Sequence, residues 1–284
     1  MTTPSPDPAS TTTPAQAPGE HSGDLPFADR QDSAVQGHWL LARLGKRVLR
    51  PGGVGLTRAL LADAGLPDSD VVELAPGLGR TAAEIIAAKP RSYYGIDYDP
   101  AAVRAVQPIV NGYGEVRAGD AADTRLPSAS ADVVVGEAML TMQGDRAKQA
   151  IVAEAVRVLR PGGRYAIHEL ALAPDDLNDH VKEDIRKALA RSIKVNARPL
   201  TPAEWQTLLR EHGLVVDQVR TAPMALLQPR RLVSDEGLLG AARFGLNLLT
   251  RPDARRRVLA MRRTFRTHRR NLCAVAVVAH KPRA

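Results

Sequence analysis

This 284-residue chain has one cysteine, no apparent leader segment and no long apolar run. The single cysteine, Cys273, excludes a disulfide framework and a cysteine-based metal site. No basic start is followed by an apolar run, so no secretory signal is predicted. The longest apolar run, 273–279, is far shorter than the roughly 20 residues that span a bilayer. These absences favour a soluble, cytoplasmic protein without a metal site.

Charge and composition divide the chain into regions. Residues 1–32 contain almost no large apolar side chains, which predicts a disordered tail before a single domain at 33–284. The formal net charge is +8, and nine arginines fall at 251–270, where Asp253 is the only acid. The excess positive charge is therefore a local feature of the C-terminal region.

The stretch 71–83, VVELAPGLGRTAA, organises our interpretation of the chain. Two valines and a leucine predict a short buried strand, Gly77 and Gly79 a turn, and the following residues a helix. This is the first half of a nucleotide-binding unit, in which glycines let a cofactor approach the backbone. Ala82 stands where a dinucleotide motif has its third glycine. The acidic Glu73 instead suits a cofactor with a positively charged amino-acid tail.

The segment from Glu73 to Gly79 resembles motif I of class I S-adenosylmethionine-dependent methyltransferases, with Ala75 in place of the usual glycine. The resemblance implies that S-adenosylmethionine is the cofactor, and that Glu73, Ala75, Gly77 and Gly79 help to bind it. It also implies an α/β, Rossmann-like fold: a seven-stranded mixed sheet of six parallel strands and an antiparallel last strand. Helices are expected on both faces of that sheet.

Two further segments resemble motifs of the same family. YGIDYDP resembles motif II, and Asp97 lies 24 residues after Glu73, close to the spacing of ribose-binding acids in such units. The resemblance implies that Asp97 binds the ribose hydroxyls of the cofactor and that its neighbour Tyr98 also belongs to the cofactor site. Asp120 and Ala121 follow the third predicted strand and resemble motif III, which contacts adenine. A turn-forming aspartate is the structural alternative for Asp120.

Candidate catalytic residues follow the fourth and fifth predicted strands. Glu137 ends the fourth strand, where the family places the transferring methyl group, and is a candidate for both catalysis and cofactor binding. The apolar residues at 139–142 suggest an apolar wall around the substrate. His168 and Glu169 end the fifth strand at the carboxyl edge of the sheet, so either is a candidate general base. A pair that fixes neighbouring loops is the competing interpretation.

The N-terminal part of the domain, 33–65, is predicted to form two helices that cap the cofactor site. Helical spacing of apolar residues runs from 35 to 49, and a second helix is expected over about 56–64. His38 and Trp39 are then placed near the active site. We favour the plainer expectation that Trp39 is a packing residue and His38 lies on the surface.

The segment 223–271 is predicted to be a helical insertion between the last two strands. Its first helix, 236–249, is largely apolar, and its second, 254–272, is amphipathic and rich in arginine. A lid over a lipophilic substrate, contact of the 235–272 helices with an anionic membrane surface, RNA binding and a packed hairpin all fit this pattern. Scarce aromatics in the second helix disfavour RNA.

The leading hypothesis is a methyltransferase acting on a small, apolar or lipidic metabolite, similar to the quinone-biosynthesis type. The alternatives are an RNA methyltransferase that uses the arginine-rich helix and a non-catalytic, membrane-associated module that binds the cofactor. The sequence leaves open the acceptor atom and the oligomeric state.

Overall fold

The computed structural model describes residues 36–283, so the tail predicted at 1–32 lies outside the described residues. The strands are β1 (Asp70–Leu74), β2 (Ser92–Asp97), β3 (Gly114–Ala118), β4 (Ala131–Glu137), β5 (Leu159–Leu172), β6 (Val215–Pro223) and β7 (Leu272–His280). The helices are α1 (Gly37–Arg43), α2 (Gly53–Ala64), α3 (Arg80–Ala87), α4 (Pro100–Val110), α5 (Asp145–Val158), α6 (Asp179–Ile193), α7 (Pro202–Glu211), α8 (Pro229–Thr250) and α9 (Pro252–Thr267).

All seven strands form one sheet in the order β3-β2-β1-β4-β5-β7-β6. The pairs from β3 across to β5 are parallel, and β7 runs antiparallel to both β5 and β6. This confirms the predicted fold class of six parallel strands and one antiparallel strand. The strand order reverses between β1 and β4, where open α/β sheets form a ligand-binding crevice at the carboxyl ends of their strands.

The central strands are buried on both faces. Valines of β1 and β4 are divided between two hydrophobic clusters, one under α5 and α7 and the other under α2, α3 and α4. Parallel strands covered on both faces have continuous apolar runs, which is why β1 was recognisable from its sequence. Residues 119–130, which join β3 to β4, form turns and irregular chain without a helix.

The first predicted helix is wrong in extent. Helix α1 ends at Arg43 rather than near residue 49, and Gly45 has φ +97°. The backbone N–H groups of Arg47 and Val48 then donate to one carboxylate oxygen of Glu236, each at 2.9 Å. An acid about 190 residues away in the chain therefore holds this segment, and helical periodicity alone does not detect such a contact.

Two smaller features concern element boundaries. Residues 160–163, directly after α5, form a bulge within β5, and the pairing register with β4 shifts there. Helix α8 begins at Pro229 rather than residue 236, with non-helical backbone at Gly237.

Helices α8 and α9 pack on the N-terminal region rather than extending away from the domain. Phe244, Val258 and Met261 form a cluster with two leucines of α1, at positions 40 and 41, and with Leu44 directly after it. The ammonium group of the buried Lys46 lies 3.7 Å from Asp235 and 3.5 Å from Glu236, which ties α8 to the chain after α1. Within 36–283 no helix is both long and apolar enough to cross a membrane.

Candidate active site

A cavity of about 380 Å³ opens at the carboxyl ends of β1, β2 and β4. Its volume lies in the range of small-molecule sites. Of the residues predicted to bind the cofactor, five line it: Glu73, Ala75, Gly77, Asp97 and Glu137. The turn after β1, the start of α3 and the segment around α1 complete the walls.

The turn after β1 is held by backbone contacts. The N–H of Ala75 donates to the carbonyl of Ile96 on β2 at 2.7 Å, and Ala75 has φ +57°. Gly77 has φ +58° and Gly79 has φ +72°, a region that glycine adopts without strain. A Cβ on Gly79 would lie 2.5 Å from the side chain of Ile109. Gly79 is therefore required by helix packing as well as by the turn, and it lies behind the cavity wall.

Asp97 joins this turn to the end of β2. One carboxylate oxygen accepts the N–H of Gly77 and the other the N–H of Asp99, each at 2.9 Å. Burial raises the pKa of Asp97 despite these two bonds. A carboxylate so fixed at the cavity wall is a suitable acceptor for hydroxyl groups of a bound nucleoside.

Glu73 forms part of the cavity floor. It is buried, and one of its oxygens accepts a hydrogen bond of 2.6 Å from the hydroxyl of Tyr93. Burial raises the pKa of Glu73 to about 8. This side chain is therefore mostly protonated near neutral pH.

Glu137, at the end of β4, has the opposite character although it is equally buried. It lies 3.0 Å from Arg50 Nε, accepts a bond of 2.6 Å from the Thr57 hydroxyl, and also accepts one from Thr81. Burial alone favours protonation, but Arg50 and His168 outweigh it and lower the pKa of Glu137 to about 2. Glu137 is therefore an ionised counterion for Arg50 beside the cavity.

His168 lies beneath the cavity rather than in its wall. Its Nδ1 is 2.8 Å from Glu137 Oε1, and its Nε2 accepts the N–H of Gly52 at 3.2 Å. Because Nε2 accepts a bond, the proton of the neutral ring lies on Nδ1 and is donated to Glu137. Both ring nitrogens are engaged and the side chain is fully buried. The expectation of a general base at His168 therefore conflicts with its position.

Glu169 likewise fixes a loop instead of facing a substrate. Its carboxylate accepts the N–H groups of Met139, Leu140 and Thr141 at 2.8–3.0 Å, and the Thr141 hydroxyl at 2.6 Å. These bonds hold the short 3₁₀ turn Leu140–Met142. Of the two interpretations offered by the sequence, the geometry favours a pair that fixes neighbouring loops. Both residues lie inside β5, which continues to Leu172, and not at its end as predicted.

Besides Gly79, three predicted cofactor residues do not line the cavity. Tyr98 is 87% exposed. Asp120 is exposed, and its carboxylate accepts the N–H of Ala122 at 2.8 Å, which is the turn role named as its alternative. Ala121 packs partly buried against the core. The adenine contacts implied for Asp120 and Ala121 remain predictions, as does cofactor binding by Tyr98.

His38 lies at the site, although the expectation favoured from the sequence put it on the surface. It lines the cavity and also an apolar pocket of about 60 Å³ on the far side of α1. Burial lowers the pKa of His38 to about 4, so the ring is neutral at physiological pH. Its ring lies 4.9 Å from that of Trp39. Its place in the first predicted cap helix was the sequence signal for this position.

The apolar pocket is bounded by parts of the chain that are distant in sequence. Its walls come from α1, the 3₁₀ turn, β5, α6, the start of the insertion and α9. Leu49, Ala138 and Met142 line both this pocket and the larger cavity, as His38 does. The two spaces therefore meet beside Ala138, directly after β4.

Comparison with known proteins agrees with this architecture. Residues 71–163 match the profile of a methyltransferase domain. The chain is 33% identical over 251 residues to an uncharacterised protein of Haemophilus influenzae, covering 86% of this chain and 98% of that protein. It is 41% identical over 101 residues to a Mycolicibacterium smegmatis protein named as a probable S-adenosylmethionine-dependent methyltransferase, covering 34% of this chain and 37% of that one.

Solved structures share the fold at low sequence identity. A Galdieria sulphuraria protein described as a sarcosine dimethylglycine methyltransferase aligns with a TM-score of 0.62 at 18% identity, covering 80% of this chain and 84% of that one. Haemonchus contortus phosphoethanolamine N-methyltransferase 2, crystallised with S-adenosylhomocysteine, aligns with a TM-score of 0.66 at 14% identity. That alignment covers 90% of this chain and 59% of the other.

The sheet order and the cavity at its switch point define a Rossmann-like fold of the methyltransferase type. Residues 71–163 carry a methyltransferase domain, and the chain shares the class I S-adenosylmethionine-dependent methyltransferase fold of these solved structures. The cavity fits S-adenosylmethionine, because glycine backbone, a buried acid and a fixed aspartate meet in one space of sufficient volume.

Proposed function

We propose that this protein transfers the methyl group of S-adenosylmethionine to a small, apolar acceptor. The observation that carries the proposal is the contact between two spaces, one lined by the glycine turn and Asp97 and the other almost wholly apolar. A cofactor in the first space and an acceptor in the second would meet beside Ala138. This arrangement supports transfer to an acceptor that is shielded from water.

The cofactor half of the site has the groups that such a nucleoside needs. Gly77 gives the cofactor access to the backbone, and Asp97 offers two carboxylate oxygens to ribose hydroxyls. Glu73 lines the same cavity and offers a carboxyl oxygen as an acceptor for the amino group of the cofactor's tail. The cofactor supplies an activated methyl group on a sulfonium centre, and the chain has to align that group with the acceptor.

The acceptor half is apolar and adaptable. Met142, Met224 and Met261 are among its walls, and methionine side chains adjust readily to irregular ligands. His38 supplies the polar group at the junction of the two spaces. As a neutral imidazole it can accept a hydrogen bond, or the proton, from an acceptor hydroxyl or amine.

Cofactor binding tests the first half of the proposal. We expect Asp97→Asn to weaken S-adenosylmethionine binding by at least about tenfold, because a charge-assisted bond to each ribose hydroxyl is lost. Isothermal titration measures this directly. Asp123→Asn is the matched control, since Asp123 is an exposed acid outside the cavity. Undiminished binding in Asp97→Asn would refute the site.

Turnover tests the second half. Labelled cofactor and a cell extract identify the methylated product, and the rate is then measured on that acceptor. We expect His38→Gln to lower kcat by about a hundredfold with cofactor affinity unchanged, as for loss of a positioned base. With a pKa of about 4, His38 should contribute no inflection to the rate profile above about pH 5. An equal loss of cofactor affinity would contradict this role.

A further inference from the structure

A second, polar groove of about 290 Å³ lies against the wall of the apolar pocket. It is formed by residues 224–228, between β6 and α8, and by the C-terminal half of α9. Met224, Leu226 and Phe265 line both this groove and the apolar pocket. Ligand atoms in the two spaces would therefore contact the same three side chains from either side.

The groove has a strongly cationic rim. Arg262, Arg266 and Arg269 all line it. Arg262 and Arg266 are about one helical turn apart on one face of α9, and Arg269 lies in the turn directly after that helix. Among the described residues that line the groove there is no aspartate or glutamate. Like charges at this helical spacing repel each other, so a bound anion would relieve the repulsion. Guanidinium groups also match the geometry of carboxylates and phosphates.

We infer that this groove binds the anionic group, a carboxylate or phosphate, of an amphiphilic ligand whose apolar part extends past Phe265 into the apolar pocket. The three shared apolar side chains would contact the apolar part of such a molecule, and the three arginines would bind its anionic group. The identification of this ligand with the methyl acceptor rests on the proposed function. The anion site itself does not.

Such a ligand has two sources, a free acidic metabolite or the headgroup of an anionic lipid. Helix α8 is relevant to the lipid source, because its outward side carries four exposed leucines, here called the leucine stripe. Leu238, Leu239, Leu246 and Leu249 are 77%, 88%, 63% and 68% exposed. These positions recur at helical spacing on one face of α8. Only vesicle binding should depend on the leucine stripe.

The test compares a carboxylate with its neutral counterpart. We expect wild-type protein, without cofactor, to bind octanoate at least about tenfold more tightly than octanol, and affinity to rise from acetate to octanoate. Arg262→Gln/Arg266→Gln should abolish the preference for octanoate. Arg255→Gln/Arg263→Gln is the matched control, because it removes two exposed arginines of the same helix that do not line the groove. Should the first double variant unfold, the exposed Arg269→Gln replaces it.

Equal affinity of wild-type protein for octanoate and octanol would overturn the inference, as would equal losses in both double variants. An affinity that does not rise from acetate to octanoate would mean that the apolar part of the ligand does not enter the apolar pocket, and would overturn that part of the inference. Binding to phosphatidylglycerol vesicles that Leu238→Ser/Leu239→Ser weakens, with octanoate binding intact, would identify a lipid headgroup as the source. Octanoate binding without vesicle binding would identify a free amphiphile. Cofactor titration fails or succeeds independently of all these measurements.

Discussion

The cofactor half and the acceptor half of the candidate site are built in different ways. Most of the cofactor half lies within 73–97, in two adjacent strands and the turn between them, and backbone N–H groups fix its key carboxylate. The acceptor half draws on segments from 37 to 265 and is held by side-chain packing. The first is specified locally, whereas the second depends on how distant helices meet.

Glu137 lies at the boundary between the halves, and its removal should have the largest effect. We expect Glu137→Gln to lower the free energy of unfolding by about 3–5 kcal/mol, because the buried Arg50 guanidinium would lose its counterion. Urea denaturation measures the change. The acceptor half should be disturbed as well, because two partners of Glu137 lie in the part of the chain that follows α1. Arg50 belongs to the segment that joins α1 to α2, and Thr57 belongs to α2.

Glu84→Gln is the control for that measurement. Glu84 lies 3.5 Å from both Arg58 and Arg80, but those arginines are largely exposed. Pairs of this kind contribute within about 1 kcal/mol. A Glu137→Gln loss no larger than that of Glu84→Gln would mean that the Arg50–Glu137 contact does not organise the boundary.

The two buried glutamates give the next prediction, through pH. Glu73 has a pKa of about 8 in the folded protein against 4.5 for the ordinary group. Between those values the folded state holds a proton that the unfolded state has lost, so stability falls as pH rises from about 5 to 8. The slope attributable to Glu73 is at most about 1.4 kcal/mol per pH unit. We expect Glu73→Gln to remove this slope, so that the free energy of unfolding of the variant increases relative to that of wild-type protein as pH rises.

Glu137 provides the opposite limb of the same experiment. Its pKa of about 2 lies below the ordinary 4.5, so its contribution is present above about pH 4.5 and is lost as pH falls toward 2. Unfolding curves across pH 3–9 for wild-type protein and both variants separate the two. A Glu73→Gln curve parallel to wild type would contradict the assignment of a buried, protonated Glu73.

What the sequence predicted follows the same division. Buried strands and glycine turns were predictable because they are local signals, and the seven-stranded sheet was predictable because these local segments resemble the motifs of a family that has this sheet. The placement of Asp97 beside Gly77 was predictable for the same reason. The Arg50–Glu137–His168 cluster was not, because its members come from three elements with no shared motif. A histidine in a sequence gives no sign of whether it is buried or exposed, so the burial of His168 could be learned only from the structure.

His38 shows the limit most clearly. In sequence it is a polar residue near the start of a short helix, and the plainer expectation put it on the surface. Its position at the junction of the two spaces depends on packing of α1 against α6 and α9. Helical periodicity gave the existence of α1 but neither its end nor what it faces, since Glu236 determines the path of the chain after it.

The smallest expected effect concerns Ala75, where the family pattern has glycine. Ala75 has φ +57°, a region that costs a residue with a Cβ about 1–2 kcal/mol. Glycine relieves that strain but gives up about 0.4–1 kcal/mol through greater freedom in the unfolded chain. We therefore expect Ala75→Gly to stabilise the protein by up to about 1 kcal/mol and to leave cofactor affinity within a few-fold. Ala82→Gly, in helix α3, should instead destabilise it by about 1 kcal/mol. If both substitutions destabilise the protein equally, the turn does not store the strain that its backbone angle implies.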